Sequence, residues 1–70
     1  MKTLQQIVDA AGMRPVDLAS KARLSIDTVR RALKGQEPNP VGCWAMGVAL
    51  GVEESDVREA IKASAEEAAK

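Results

Sequence analysis

The chain is 70 residues long, its 10 basic and 10 acidic residues cancel to a formal net charge of zero, and it contains no His and one Cys. One small domain fits that length, close to the size at which a single core is marginal unless packing is efficient or helped by association. A disulfide framework, a Cys/His zinc site and His-dependent catalysis are excluded; no apolar run reaches a membrane span and no signal-peptide pattern is visible, so the expected location is the cytoplasm.

Apolar residues make up 46% of the chain, nearly all of them Ala, Val, Leu, Ile and Met, with Trp44 the one aromatic. Such side chains suit close-packed helices better than a sheet. In chain order, Thr3 and Gln6 form a capping box, and Leu4, Ile7, Val8 and Ala11 follow at i, i+3, i+4 and i+7. This is a first amphipathic helix, ended by Gly12. Pro15 suits the first position of a second helix, although Arg14 before it is a poor N-cap. Leu18, Ala19 and Ala22 give that helix its inner face, and Leu24 plugs the turn after it.

Ser25 caps a third helix that runs to Leu33 or Lys34 and stops at Gly35 in the left-handed conformation. Val29 and Ala32 face inward with Leu33 at the edge, which leaves Ile26, Asp27, Thr28, Arg30, Arg31 and Lys34 on or near the outside. Two prolines mark the loop from Gln36 to Pro40. Asn39-Pro40 then caps and opens a fourth helix that closes at Gly51. It carries no charge and is expected to be the most buried element, with Cys43 a small buried hydrophobe. Glu54 or Ser55 starts a fifth helix with Val57, Ala60 and Ile61 inward and Glu54 four residues before Arg58. The expected fold is all-α, a bundle of about five short helices, with residues 1–64 as the domain and 65–70 as a frayed helix end or tail.

Zero net charge taken alone argues against a nucleic-acid partner, but the charge is unevenly distributed. From Arg14 to Lys34 six basic residues stand against two acidic, a local balance of +4, whereas from Glu53 onward six acidic stand against three basic. One face is thereby able to attract phosphate while another stays clear of it. The plain alternative is that these charges are solvated helix faces.

The segments DLASKARLSIDTVRRALKG and NPVGCWAMGVALGVEESDV carry a resemblance. Over about residues 3 to 62 the chain resembles the lambda-repressor-like, Cro/XRE-type helix-turn-helix domains, in Leu18-Ala19, Ser25, Thr28-Val29, Gly35 and Ala49 to Val52. TVRRALKG is also similar to the sugar-repressor type of helix-turn-helix, but the full helix before the motif and the capped helix after it favour the first family. Three positions depart from the pattern. Pro15 or Val16 stands where the family often has a phosphate-bridging Gln. Arg23 occupies the turn position usually held by Gly, so it either tolerates a positive φ or uses another turn. Ile26 replaces a polar base-reading side chain, and it either touches a thymine methyl or folds back onto the core.

The resemblance implies that helices 2 and 3 form a DNA-binding unit whose helix 3, about Ser25 to Lys34, lies in the major groove of double-stranded DNA. Ile26, Asp27, Thr28, Arg30 and Arg31 would then read bases. Arg14, Lys21, Ser25, Lys34, Gln36 and Asn39 would contact phosphates. Asp27 has a second reading as a favourable first-turn acid, and Ser25 as a cap. A small transcriptional regulator is implied, a bacterial or phage repressor, binding as a weak homodimer that tightens on DNA. Val52, Val57 and Ile61 form the expected dimer surface, although a fifth helix also needs these residues to stay attached. No cofactor, metal, small-molecule effector or membrane partner is expected, and no nucleophile with a base suggests an enzyme. The alternative function is a protein-interaction module that has kept the fold and no longer reads DNA.

Overall fold

A computed structural model describes residues 2–69. Five α-helices, α1 (Leu4–Ala10), α2 (Pro15–Ala22), α3 (Ile26–Leu33), α4 (Pro40–Leu50) and α5 (Glu54–Ala68), make the fold all-α. Their caps follow from local chemistry. The Thr3 hydroxyl accepts from the Gln6 N–H at 3.2 Å while the Gln6 side chain accepts from the Thr3 N–H at 2.8 Å. Asn39 accepts from the Gly42 N–H at 2.7 Å, with Pro40 opening α4 and Gly51 closing it in the left-handed region. Arg14 gives α2 no side-chain cap; instead the Asp17 carboxylate accepts from its backbone N–H at 3.1 Å.

The helices enclose one core whose fully buried large side chains are Leu4 and Val8 from α1, Leu18 from α2, Val29 from α3, Cys43 and Met46 from α4, and Val57 and Ile61 from α5. α5 is the hub, packing against α1, α3 and α4, while α2 lies between α3 and α4. Among the described residues no helix is long and apolar enough to cross a membrane.

As expected, α4 has the largest buried share of any helix among the described residues, with Gly42, Cys43, Met46, Gly47 and Ala49 enclosed, while one strip of it, Val41, Trp44 and Val48, is 70%, 60% and 62% exposed. One expectation is corrected. Val57 and Ile61 are 0% and 1% exposed, and side chains enclosed inside one copy have no area left for another, so these two do not form a dimer surface; Val52 is half-buried against the same core. Past Ser64 the helix α5 continues to Ala68. Ser64 is buried because its hydroxyl accepts the Leu4 N–H at 3.0 Å and donates to the Ala60 carbonyl at 2.9 Å. The first, otherwise unpaired amide of α1 is thereby satisfied from α5. The next residue, Ala65, packs so closely on Gly35 that a Cβ there would lie 2.6 Å from the Ala65 nitrogen. Lys70 lies outside the described residues.

Candidate nucleic-acid interface

α2 and α3 are joined by Arg23, Leu24 and Ser25 and pack directly against each other. Arg23 adopts φ 57° and ψ 41°, so of the two options for this turn the chain takes the left-handed one without glycine. Its backbone N–H caps the end of α2, and Leu24 follows with its N–H donated to the Ala19 carbonyl at 2.9 Å and its side chain half-buried against the core. Ser25 then starts α3: its hydroxyl accepts the Thr28 N–H at 3.2 Å and lies 2.8 Å from the Thr28 hydroxyl. The turn therefore aims α3 through one strained residue, one apolar plug and one cap.

Around α3, at about 100° per residue, Asp27, Arg30, Arg31 and Lys34 fall within roughly a 100° arc. All four are exposed, and Val29 and Ala32 on the far side are buried. Among the described residues neither Arg30, Arg31 nor Lys34 pairs with a carboxylate, and the same holds for Lys21 and Arg23. Cations held close together without internal partners must find theirs in solvent or on a ligand.

The remaining candidate residues divide. Ile26 is half-buried and packs against the core, the second of its two readings. Thr28 is half-buried and shares its hydroxyl with Ser25. Arg14 is exposed, but its Nε donates to Asp17 at 3.2 Å, so any phosphate would compete with an existing pair. Those two hydrogen bonds, backbone first, hold the Asp17 carboxyl below its ordinary value. Asn39 spends its carbonyl oxygen on capping α4 and keeps its amide N–H groups free to donate.

An open cleft of about 280 Å³ brings several of these residues together, lined by Thr28 and Arg31 from α3 and by Gln36 and Asn39 from the loop after it. Glu37 also lines it, a residue the sequence reading left out. Its carboxylate is 3.6 Å from the Nε of Arg58, whose Nη2 is 3.4 Å from Glu54. The expected Glu54–Arg58 pair thus reaches across to the loop before α4 and partly offsets a negative charge at the cleft rim. Residues 21 positions apart share no helical period, so periodicity gave no sign of this contact. Comparisons with protein-family models, curated proteins and solved structures find no match for this chain, and the chemistry of the α3 surface rests on these residues alone.

Proposed function

We propose that the chain is a sequence-specific double-stranded DNA-binding domain that reads the major groove with α3 and serves as a small transcriptional regulator of the lambda-repressor-like kind, a bacterial or phage repressor acting in the cytoplasm. Support comes chiefly from the outward arc of α3, where Arg30, Arg31 and Lys34 are exposed with no carboxylate partner among the described residues. A helix of eight residues is about 12 Å long, and the major groove is about 12 Å wide, so the whole arc fits within it.

In this arrangement Arg30 and Arg31 offer guanidinium forks suited to the O6 and N7 of guanine, each such contact worth about 1–3 kcal/mol against a wrong base. Asp27 is placed at the start of the arc to accept from a cytosine amino group. Ile26 offers at most the edge of a half-buried side chain to a thymine methyl. Lys21, Lys34, Gln36 and the free amide of Asn39 set register by holding phosphates. With zero net charge overall, binding depends on this local arc and weakens steeply with salt.

The test is a salt titration of binding to a pool of labelled genomic fragments, followed by anisotropy, for the parent and for Arg30→Ala/Arg31→Ala. One fragment should bind far more tightly than the pool, and the double variant should lose that preference while keeping its helical circular dichroism. If no fragment is preferred at any salt and the variant behaves like the parent, DNA reading is wrong and α3 is a protein-binding surface.

A further inference from the structure

We propose that α4 is a self-association surface on which a second copy of this chain docks through Val41, Trp44 and Val48. These side chains lie at i, i+3 and i+7, so they form one strip over about 10 Å of helix. They are 70%, 60% and 62% exposed, and the chain's sole aromatic residue stands at the centre with a valine one turn to either side. α4 packs on α2 and α5, and the exposures of Val41, Trp44 and Val48 show that none of the other described residues covers the strip.

Charge selects a second copy as the occupant. A two-fold interface brings a surface against itself, so every charge near the axis meets its own like. None of the 11 residues of α4 is charged, in a chain in which 29% of residues are. The strip is also self-complementary under a two-fold axis perpendicular to α4 near Trp44. The two helices then run antiparallel with opposed dipoles, Val41 of one copy faces Val48 of the other, and the two indoles pack side by side across the axis.

The area sets the strength. Together the three side chains expose on the order of 300 Å². Two copies bury about twice that, plus neighbouring backbone, which falls short of the roughly 1,200 Å² of a standard stable interface. The dimer is therefore weak and concentration-dependent, and it leaves the cations of α3 uncovered. It does not depend on the DNA reading and forms without DNA.

Sedimentation equilibrium of the full chain, in parallel with Trp44 emission, tests this between about 10 µM and 1 mM, the range a small interface implies. Mass should rise toward the dimer as Trp44 emission moves to shorter wavelength. Val48→Glu and Val41→Lys should each weaken association at least about tenfold, because each places an unpaired charge against the other copy's valine. Both positions are exposed, so far-UV circular dichroism should be unchanged. An equimolar mixture of the two variants should recover dimer, as the new Lys and Glu face each other across the axis. A protein that stays monomeric at 1 mM, an association that Val48→Glu leaves intact, or a mixture that recovers nothing would overturn the proposal. Loss of DNA binding in Arg30→Ala/Arg31→Ala with self-association intact separates the two surfaces.

Discussion

Replacing Gly35 by Ala probes the contact that locks the end of α3 to the last turns of α5. Gly35 has φ +101°, and a Cβ there would overlap the Cα and methyl of Ala65 and lie 2.6 Å from its nitrogen. Two costs combine. An L-residue with positive φ loses about 1–2 kcal/mol, and forcing a methyl into filled space loses about 1–3 kcal/mol. Backbone atoms of a helix cannot swing aside as a side chain does, so relief requires α5 to move off α3. The sum, about 2–5 kcal/mol, is a large part of the roughly 4–10 kcal/mol expected of a domain this size. At about 4–8 °C per kcal/mol, melting should fall by at least about 8 °C. Gly12 and Gly51 serve as controls, with φ of +72° and +74° and nothing within 4 Å of an added Cβ. Urea denaturation of the three Gly→Ala variants should therefore show Gly35→Ala destabilised by at least about 1 kcal/mol more than either control. Equal losses at all three sites would refute the docking of Ala65 on Gly35 and, with it, the ordered end of α5.

Three further outcomes follow from single residues. Arg23→Gly should stabilise the fold by up to about 1 kcal/mol, since it removes left-handed strain at φ 57°, partly offset by the greater freedom of glycine in the unfolded chain; thermal melting checks it. Burial pushes the Cys43 thiol up, against a smaller opposing pull from Arg58, so native protein at mildly alkaline pH should react with a thiol reagent at least about tenfold more slowly than protein in urea. The Asp17 carboxyl is held below its ordinary value of 3.8, so what it contributes to stability is present above that pH and is lost as pH falls through the lowered value. Carboxyl NMR titration should place Asp17 below 3.8, and Asp17→Asn should remove this share of the acid dependence without altering neutral-pH spectra.

Much of the α3 surface was legible because it is local. Ser25, Val29 and Ala32 set the start and the buried side of a helix, and that leaves Asp27, Arg30, Arg31 and Lys34 outward by rotation alone. Arg23 was legible as a choice between two turns, and Ile26 as a choice between groove and core. Neither was decidable from spacing, since each depends on what the rest of the bundle places beside the turn. Helix α4 was legible as the most enclosed helix but not in which strip stays open: an uncharged sequence says that a helix tolerates burial, not which of its faces finds neighbours.

Sequence alone determined the number and order of the helices, the caps at Thr3, Ser25 and Asn39 and most of the inward residues, because caps act over three residues and amphipathic spacing over one or two turns. Only the tertiary structure decided that Ser64 serves the Leu4 amide, that Ala65 seats on Gly35, that Arg58 reaches Glu37, and that Val57 and Ile61 lie inside while Trp44 lies outside. Each of these joins residues distant in the chain or depends on which face finds a neighbour. Their cause is how five short helices share one small core, and no local period encodes that sharing.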